Sequence, residues 1–497
     1  MRKPKTPASL LCDFYKVSHR KQYPTGTETI YSTWTPRDSR IPGIDEVVAF
    51  GFQGFIKEYL IDYFGEHFFS RPVAEVVAEY ERYIKYALGD ANPDSQHIAD
   101  LHALGFLPVL IKAVPEGTSV PIRVPMLTIE NTDPKFFWVT NYLETLISCS
   151  IWQPSTSATI AKAYRNLLDT WAKKTSSALD FVQFQGHDFS MRGMGALDAA
   201  RTSGAGHLLS FVGTDTIPAI AYLESYYGAD IEKELVGCSI PATEHSVMCA
   251  GGADDEFGTY KRLIEDVYPT GMVSIVSDTW DLWHVLTDTI PKLKDAIMAR
   301  DGKVVIRPDS GDPVDIICGL CDEGLVYGDT AAERGVIELL WDTFGGTVNS
   351  KGFKELDPHI GAIYGDAITL KRADEICRRL AAKGFASTNV VFGIGSFTYQ
   401  YNTRDTFGFA LKSTHAVIKG VEHNIFKDPV TDSGVKKSAT GRVVVLNDYV
   451  DGLFLSDGLS IAQVEEASSW DLLRTVFADG HAVNESTLQD IRDRVRG

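Results

Sequence analysis

A glutamate and a histidine stand side by side in the segment SIPATEHSVMCA, residues 239–250, directly after a proline turn. The neutral ring nitrogen of a histidine acts as a nucleophile or base near neutral pH, so His245, with Glu244 beside it, is a candidate for chemistry. A structural or merely exposed histidine would give the same pattern. The pair therefore needs support from other residues before it indicates a function.

The segment VVIRPDSGDP, residues 304–313, places Arg307 two residues before Asp309. Arginine matches the geometry of phosphate or carboxylate, and aspartate accepts from ribose hydroxyls or holds Mg²⁺ through water. Together they indicate a phosphorylated sugar as the ligand. The glycines of YGDA, residues 364–367, and FGIGSFT, residues 392–398, offer backbone N–H groups to phosphate at a helix start, although GIGSFT lacks the third glycine of a dinucleotide-binding motif.

Two further groups of residues are candidates for ligand binding. In GHDFSMRG, residues 186–193, the ring of Phe189 and the cation of Arg192 suit a planar heterocycle, and a buried phenylalanine beside a surface arginine explains them equally well. Lysine and arginine are concentrated between residues 404 and 442 of an otherwise acidic chain. This basic segment is either a solvated face or a flap that binds phosphate.

Five short apolar runs, each followed by polar or glycine residues and then by a helical pattern, predict parallel β-α-β units. A doubly wound sheet would also give this order, but we favour a (β/α) barrel, because the candidate residues follow strand ends that converge on one mouth in a barrel. The runs are LLSFVGTDT at 208–216, VSIVSDTWD at 273–281, VVIRPDSGD at 304–312, GAIYGDAIT at 361–369 and VVFGIGSFT at 390–398.

The barrel would bring the charged residues at these strand ends around one pocket, with His245 in the loop between the first two strands. Each aspartate could instead cap the helix that follows it, whereas an arginine cannot cap a helix N-terminus because it has no acceptor. The charged residues concerned are Asp215, Asp278, Arg307, Asp309 and Asp366.

The first third of the chain has a different pattern, with strands and helices that do not alternate. We predict a strand at 28–35, a helix at 71–89, antiparallel β structure at 107–130, and two helices near 136–149 and 157–174.

At 497 residues, with 44% hydrophobic and 23% charged residues, the chain has the composition of a globular enzyme of two domains or one elaborated barrel. A formal net charge of −18 argues against a nucleic-acid partner. The apolar runs are too short for a signal peptide or a membrane span, so we expect a cytoplasmic protein without membrane contact. Seven cysteines fit reduced thiols, and the one C-x-x-C motif, Cys318 to Cys321 in a helical pattern, lacks a second pair for zinc.

Motifs along nearly the whole chain resemble, in order, those of the nicotinamide phosphoribosyltransferase family. The resemblance implies a pentosyltransferase that converts nicotinamide and phosphoribosyl pyrophosphate into nicotinamide mononucleotide and pyrophosphate in NAD salvage. It also implies Mg²⁺ and ATP as cofactors, with ATP hydrolysis coupled through a phosphohistidine. The motifs are DFYKVSHRKQYP (13–24), GHDFSMRG (186–193), GTDT (213–216), PATEHS (241–246), VSDTWD (276–281), IRPDSGDP (306–313), YGD (364–366) and NIFKDPV (424–430).

The fold class implied by the resemblance is α/β, an atypical (β/α) barrel with a second, β-rich α+β domain. Residues 1–150 would form the N-terminal α+β part of the second domain, and residues 151–400 the barrel-like catalytic domain. Residues 401–497 would form a C-terminal β-rich part that carries the basic phosphate-binding segment and packs on the N-terminal part. The family acts as a homodimer with active sites shared between the subunits.

The resemblance also assigns roles to residues. His245 would be phosphorylated, with Asp278 as its orienting partner and Glu244 and Asp309 as further catalytic residues. Nicotinamide would be bound by Phe189, Asp215, Arg307 and the partner subunit's Tyr15. The diphosphate and the phosphoribosyl group would be bound by Arg192, His245, Arg307, Asp309, Gly365, Asp366, Gly395, Ser396, Arg404, Arg37, Lys412 and Lys427. No residue is assigned as a direct metal ligand.

The chain departs from the family pattern locally. GIGSF replaces a glycine-rich GSGGG, so Gly395 is kept and Ser396 replaces a glycine whose backbone meets phosphate. Ala410 stands where a phosphate-contacting serine is expected, and the match at Lys436 needs a one-residue insertion.

Three alternative functions are open at this stage. Nicotinate phosphoribosyltransferase is the nearest, but the Asp215 carboxylate would accept from an amide NH₂ and repel the carboxylate of nicotinate. A metal-dependent barrel hydrolase would use Glu244, His245 and the aspartates as ligands, and the chain lacks H-x-H and H-E-x-x-H motifs. A non-catalytic scaffold would show no thermal shift with phosphoribosyl pyrophosphate and Mg²⁺.

Overall fold

The computed structural model of the protein describes residues 6–321, 328–427, 438–448, 450 and 452–497. Lys436 and the last three residues of NIFKDPV lie outside the described residues. Across the residues that are described, no helix combines the length and apolar character that a membrane crossing requires.

The chain divides into two compact units. Unit 1 comprises residues 1–159, 222–229 and 402–497, and unit 2 comprises residues 160–221 and 230–401.

The strands in the described residues are β1 Thr27–Thr35, β2 Glu46–Val48, β3 Val109–Ala113, β4 Ser119–Pro121, β5 Leu127–Asn131, β6 Gly186–Asp188, β7 Gly213–Thr214, β8 Thr270–Val276, β9 Asp301–Arg307, β10 Gly346–Val348, β11 Lys354–Leu356, β12 Ile360–Tyr364, β13 Val390–Ile394, β14 Ala410–Ile418, β15 Val421–Asn424, β16 Arg442–Asp448, β17 Gly452–Leu459, β18 Arg474–Ala478 and β19 His481–Ala482.

The α-helices in the described residues are α1 Phe14–Gln22, α2 Phe52–Phe55, α3 Val73–Ala87, α4 Gln96–Leu104, α5 Val139–Tyr142, α6 Glu144–Thr175, α7 Val182–Gln185, α8 Leu197–His207, α9 Ile217–Tyr227, α10 His245–Gly251, α11 Glu256–Arg262, α12 Leu282–His284, α13 Ile290–Lys292, α14 Lys294–Met298, α15 Pro313–Cys318, α16 Ala331–Arg334, α17 Val336–Phe344, α18 Leu370–Ala382, α19 Ser396–Tyr399, α20 Ile461–Glu466 and α21 Leu488–Arg496.

Unit 1 is built on an antiparallel sheet with the strand order β15-β14-β1-β5-β3-β18-β19. Strand β1, an inner strand between β14 and β5, is rich in β-branched and aromatic residues, which suit a pleated and buried surface. Trp34 of this strand is fully buried and stacks on Phe409 with the ring centroids 5.4 Å apart. The register places Thr33 opposite Lys412 and Thr35 opposite Ala410, so that hydroxyl and cationic side chains lie near one another.

Unit 2 is built on a parallel sheet with the strand order β7-β6-β13-β12-β9-β8, and the sheet curls into a half-barrel. A segment without a regular strand, residues 238–243, lies between the two outer strands. Cys238 pairs with Gly213 of β7, and Ala242 pairs with Ser274 of β8. The strands therefore follow one another in barrel order, without the reversal of a doubly wound sheet. The predicted α/β fold with a barrel and a β-rich second part is confirmed.

Several predicted elements are confirmed. The strand at 28–35 is β1, and 107–130 contains the antiparallel strands β3, β4 and β5. Helix α3 lies within the predicted helix at 71–89, and it buries Val76, Tyr80 and Ile84, which recur at a spacing of four residues. Four of the five apolar runs contain the strands β8, β9, β12 and β13.

The prediction of a strand through LLSFVGTDT is wrong for most of its length. Leu208 and Phe211 belong to the turn after α8, and only Gly213–Thr214 form a strand. Both side chains are buried, and a short buried apolar run cannot be assigned to helix end or strand by periodicity alone. Strand β6 was missed because it has only three residues.

The two helices predicted near 136–149 and 157–174 are also wrong in their boundaries, because α6 continues through Pro154. A proline inside a helix removes one backbone hydrogen bond. Tertiary contacts offset this loss: the helix buries residues 153–161, and Ser155 Oγ donates to the Phe50 carbonyl at 2.8 Å. The C-x-x-C motif is helical only up to Cys318, the last residue of α15.

A buried carboxylate holds the start of α2 in unit 1. Glu116 Oε1 accepts from the backbone N–H groups of Phe52 and Gln53, at 3.1 Å for Gln53, and from the Tyr227 hydroxyl at 3.4 Å. Burial raises the pKa of Glu116 to about 7, against the effect of these hydrogen bonds. The group therefore titrates near neutral pH in the folded protein.

Replacing Glu116 by Gln removes this titration and keeps an acceptor for the N–H groups. The pKa of Glu116 in the folded state is raised above the ordinary value of 4.5. The protonated group therefore contributes fully to the free energy of unfolding below pH 4.5, and this contribution is lost as the pH rises through 7. The free energy of unfolding of the wild type, relative to Glu116→Gln, should fall by about 3 kcal/mol between acidic and neutral pH in urea denaturation. A difference that does not change with pH would contradict this.

Candidate active site

The carboxyl ends of the parallel strands in unit 2 carry the side chains that the sequence singled out. Parallel strands present their carboxyl ends at the same edge of a sheet, where ligands of α/β proteins bind. The structure therefore brings these residues of unit 2 to one edge. Phe189 follows β6, Asp215 follows β7, Asp278 and Asp309 lie two residues beyond β8 and β9, Arg307 ends β9, Asp366 lies two residues beyond β12, and Gly395 follows β13.

Asp278 is the shared acceptor for two neighbouring loops, and its side chain is only 5% exposed. Its Oδ1 lies 3.2 Å from His245 Nε2, and its Oδ2 accepts from the backbone N–H of Asp309 at 2.8 Å and from Ser310 Oγ. Burial alone would raise the pKa of Asp278, but these hydrogen bonds lower it below its ordinary value. An ionised Asp278 only accepts, so His245 donates through Nε2 and carries its lone pair on Nδ1.

His245 is the first residue of α10, and its side chain is 49% exposed. Glu244 stands at the N-cap of this helix without a capping hydrogen bond from its side chain. Its carboxylate instead accepts from Ser246 Oγ. Asp278 therefore orients the imidazole of His245, whereas the Glu244 carboxylate contacts Ser246 in the first turn of α10.

Arg307 and Asp309 lie on one turn at the end of β9. Arg307 Nη2 donates to the Thr243 carbonyl at 2.6 Å, and its buried Nε has no partner among the described residues. Burial raises the pKa of Asp309, the nearby Asp278 and Asp366 raise it further, and Arg307 opposes them. The turn thus presents a donor that needs an acceptor and a carboxylate that a cation would stabilise.

Glycine at position 365 makes room for this carboxylate. A Cβ atom on Gly365 would lie 2.0 Å from Asp309 Oδ1, which no real contact allows. The position of Asp309 therefore requires a glycine here, and the role of Gly365 in binding the phosphoribosyl group stays a prediction. We also predicted that the glycine of YGDA offers a backbone N–H at a helix start. This prediction is wrong, because the next helix, α18, begins only at Leu370.

A cavity of about 580 Å³ opens beside these residues in unit 2, and most of its lining is apolar. Two donors at one end of it bind the same oxygen of Asp215: His187 Nε2 at 2.8 Å and Ser239 Oγ at 2.5 Å from Oδ1. Oδ2 has no hydrogen bond from any described residue. Burial alone would raise the pKa of Asp215, but these hydrogen bonds and the Arg307 guanidinium lower it.

Phe189 lines the same end of the cavity and is held from two sides. Its backbone N–H donates to the Ile394 carbonyl at 3.0 Å, and its ring centroid lies 4.6 Å from that of His187. A Cβ on Gly393 would lie 2.6 Å from Phe189 Cδ2, so the ring packs directly on the backbone of β13. A fixed flat ring beside a carboxylate and a guanidinium suits a planar amide.

The alternative that the aspartates are helix caps is wrong for three of them. The residues that cap α12, α15 and α18 are Asp281, Asp312 and Thr369. Each capping residue stands three residues after a candidate aspartate. Asp278, Asp309 and Asp366 therefore do not cap these helices and are available for other roles.

Ser396 and Arg192 are also at this edge. Ser396 begins α19, which has only four residues and supplies little of the dipole that anion binding uses. The Ser396 hydroxyl faces the backbone of Gly193, where a Cβ would lie 2.1 Å from it. Arg192 lies in the exposed turn before Gly193.

The remaining predicted site residues belong to unit 1. Arg37 and Lys412 line a second cavity, of about 180 Å³. Tyr15 lies on α1 with its side chain 55% exposed, and Arg404 Nη2 pairs with the neighbouring Asp405 at 3.2 Å. Lys427 is exposed.

The sequence analysis missed four residues that position the others: His187, Ser239, Thr243 and Ser310. A signal existed for His187, because residues two apart in a strand face the same side and Phe189 had been singled out. The other three act through hydrogen bonds between segments distant in sequence, which one sequence does not show.

Within the described part of the chain, no three His, Cys, Asp or Glu side chains are placed to hold a metal ion together. A zinc hydrolase needs at least three such ligands, so that alternative lacks a site among these residues. Mg²⁺ is different, because it is usually held by one or two carboxylates with phosphate and water.

Comparison with known proteins defines the class. Residues 184–481 match the model of the nicotinate phosphoribosyltransferase (NAPRTase) family, and residues 8–88 match that of the nicotinamide phosphoribosyltransferase N-terminal domain. The fold is similar to a solved nicotinate-nucleotide pyrophosphorylase from Pyrococcus furiosus, with a TM-score of 0.58 and 14% identity over 100% of this chain and 97% of that chain. The protein is an enzyme of the phosphoribosyltransferase class.

Two relatives define the family. Over 494 residues the chain is 50% identical to the nicotinamide phosphoribosyltransferase of Acinetobacter baylyi, which covers 97% of this chain and 96% of the relative. It is 37% identical to that of Mycoplasma pneumoniae over 87% of this chain and 94% of the relative. The chain belongs to the nicotinamide phosphoribosyltransferase family.

The packing of Phe189 on β13 gives a test. Gly393→Ala should displace the ring and raise the KM for the pyridine base by on the order of tenfold, because small displacements of positioning groups are costly. Gly361→Ala in β12 is the control, because its Cβ would lie 3.3 Å from the flexible Lys303 side chain and at an ordinary contact distance, 3.9 Å, from Val305 Cγ2. Steady-state kinetics of both variants check this, and an equal KM in the two would contradict it.

Proposed function

We propose that this protein transfers the phosphoribosyl group of phosphoribosyl pyrophosphate to nicotinamide and releases nicotinamide mononucleotide and pyrophosphate, as a step of NAD salvage. The observation that carries the proposal is the Asp215 carboxylate, held at one end of the cavity beside Phe189 and Arg307. The nicotinamide phosphoribosyltransferases to which the chain is similar support the same reaction.

The state of Asp215 favours an amide over an acid. Its lowered pKa means that it is ionised at neutral pH, and His187 and Ser239 occupy only Oδ1. Oδ2 can therefore accept from the NH₂ of a carboxamide whose ring lies on Phe189. The carboxylate of nicotinate would instead meet a like charge, which weakens its binding relative to the amide, although solvent screens this repulsion because the Asp215 side chain is 44% exposed.

The transfer step depends on holding the base in position and on stabilising the negative charge of the leaving pyrophosphate, and it requires no proton transfer by the protein. The pyridine nitrogen forms a bond to C1′ of the ribose, and the bond from C1′ to the pyrophosphate oxygen breaks with its electron pair on that oxygen. Phe189 and Asp215 hold the base for attack, which lowers the entropic cost. Arg307, with Arg192 nearby at the same edge, stabilises the negative charge that leaves, and Asp309 accepts from the ribose hydroxyls.

Mg²⁺ fits the carboxylates at this edge. Asp309 has a raised pKa partly because Asp278 and Asp366 are close, and a cation would offset this repulsion. Asp309 and Asp366 are the residues that would hold the ion, together with phosphate oxygens and water. When bound, Mg²⁺ supplies positive charge that neutralises the pyrophosphate group.

ATP hydrolysis is coupled to the transfer through His245. The lone pair on His245 Nδ1 forms the bond to the γ-phosphorus of ATP, the bond to the β,γ-bridging oxygen breaks, and ADP leaves. Asp278 then stabilises the imidazole through Nε2–H, as an orienting carboxylate does. Water later releases the phosphoryl group as phosphate. Glu244 stands beside this histidine in the chain, directed to Ser246.

The enzyme acts as a cytoplasmic homodimer with shared active sites. Large apolar side chains are exposed in unit 2, among them Ile217 at 75%, Leu197 at 61% and Phe397 at 54%, and such residues usually mark a contact surface. In unit 1 the exposed Tyr15 is available to reach the partner's cavity. The seven cysteines are unpaired, as reduced cytoplasmic thiols are.

Turnover of nicotinamide and nicotinate at equal concentration tests the assignment of the base. The wild type should prefer nicotinamide by about a hundredfold or more in kcat/KM, and Asp215→Asn should reduce the preference by about tenfold or more, because it removes the charge. Asp254→Asn, an exposed carboxylate in the same unit, should keep the preference. A wild type that prefers nicotinate would show that the proposal is wrong.

The phosphohistidine is tested separately. His245→Ala should lose the stimulation by ATP and retain a lower rate that is independent of ATP, because the transfer step does not use the imidazole. His284→Ala is a matched control, because His284 is also half exposed and pairs with a carboxylate, Asp288. The assay follows mononucleotide formation with and without ATP, and stimulation that survives in His245→Ala would remove this residue from the coupling.

A further inference from the structure

The small cavity of unit 1 carries a cation that neither the motifs nor the family resemblance assign. Arg123 lines this cavity of about 180 Å³ together with Arg37 and Lys412. The hydroxyl groups of Thr33 and Thr35 in β1 and of Ser438 also line the cavity, next to apolar residues. One carboxylate, Asp457, is also present, and its Oδ2 accepts from the Thr440 N–H at 3.0 Å. Three cations against one carboxylate leave the cavity with excess positive charge.

The charges in this region are crowded. Burial lowers the pKa of Lys412, Glu144 opposes this effect, and the nearby Arg37, Lys16 and Arg404 lower it further. Glu144 lies 3.9 Å from Lys412 Nζ, too far for a hydrogen bond. A bound oxyanion would relieve the repulsion among these cations.

The backbone of Arg123 gives an independent observation. Its φ is +76°, in the left-handed region that glycine adopts freely and that other residues avoid. The turn is fixed in this conformation, because the N–H of Arg123 donates to the Pro36 carbonyl at 2.6 Å and that of Ile122 donates to the Asp45 carbonyl at 2.9 Å. A glycine would fit here without strain.

No contact of the Arg123 side chain with a described residue of unit 1 offsets this backbone strain. The residue is exposed, and no described residue forms an ion pair or hydrogen bond with its guanidinium. Ala410 lies on the same cavity, opposite Thr35, at the position where the family resemblance leads one to expect a serine that contacts phosphate. A guanidinium supplies more donors than the hydroxyl that is missing there.

We propose that Arg123 is a phosphate-binding residue of this chain, whose guanidinium completes an oxyanion site with Arg37 and Lys412. The ligand is the terminal group of a phosphate chain, either the diphosphate of phosphoribosyl pyrophosphate and its product or the triphosphate of ATP. The inference extends the proposed function by adding a substrate-binding residue to it. The role of Arg123 is tested by ligand binding and the proposed reaction by turnover, so either can fail without the other.

Arg123→Gly is the decisive variant, because it removes the cation and the strain together. Calorimetric titration with magnesium pyrophosphate should show about tenfold weaker binding, as expected for the loss of a charge-assisted bond to phosphate. The Tm without ligand should be unchanged or higher. Asn484→Gly is the control for the backbone: it also replaces a residue of unit 1 with positive φ, 52°, by glycine, but Asn484 does not line the cavity.

A second titration with a non-hydrolysable ATP analogue separates the two sources. A loss confined to the analogue assigns the cavity to the nucleotide and still supports the proposal. Arg123→Asn, whose side chain tolerates this backbone conformation, repeats the test with a neutral residue. Equal affinities for both ligands in Arg123→Gly and the wild type would overturn the proposal, as would a wild type that binds neither. Nicotinamide turnover by the wild type, measured in parallel, decides the proposed function independently.

Discussion

The parallel register of the sheet in unit 2 is the constraint on which the site depends. Strands that run in one direction end at one edge, so side chains separated by up to two hundred residues in sequence lie together there. The register is fixed over seven residue pairs between β8 and β9, from Thr270 opposite Asp301 to Val276 opposite Arg307. A shift of one residue would turn Arg307 and the neighbouring turn away from the cavity.

The segment between β7 and β8 links the parts of the site to one another. It takes the place of a strand, and within seven residues it supplies three contacts of different function. Ser239 donates to Asp215 where the base would bind, the Thr243 carbonyl accepts from Arg307, and His245 meets Asp278. A phosphoryl group on His245 would therefore act on a segment that also contacts Asp215 and Arg307, the residues proposed to bind the base and the phosphate. This continuity gives a physical route by which ATP hydrolysis could change substrate affinity.

Much of the fold was predictable from the sequence, because long periodic patterns carry the information. The β-rich runs before polar turns identified β8, β9, β12 and β13, and the spacing of Val76, Tyr80 and Ile84 identified α3. Prediction failed where the local pattern was short or was overruled by packing. Strands β6 and β7 are too short to show a period, and α6 continues through a proline because tertiary contacts hold it.

The location of the candidate residues of unit 2 at the strand ends was predictable, whereas the hydrogen bonds between them were not. Charged residues after strand ends could be identified because each stands in a polar turn after an apolar run. Hydrogen bonds such as those from His187 and Ser239 to one oxygen of Asp215 depend on the distances between segments, which one sequence does not contain. The same limit applies to Arg123, whose positive φ and neighbouring cations appear only in three dimensions.

The central claim is that one edge of the half-barrel holds both the base and the phosphorylated sugar. A crystal structure of the enzyme with nicotinamide mononucleotide and pyrophosphate tests this most directly. The account predicts a pyridine ring on Phe189 with the carboxamide nitrogen at Asp215 Oδ2, and the 5′-phosphoribosyl group at the turn of Arg307 and Asp309. A mononucleotide bound away from this edge, or with its carboxamide directed away from Asp215, would contradict the account.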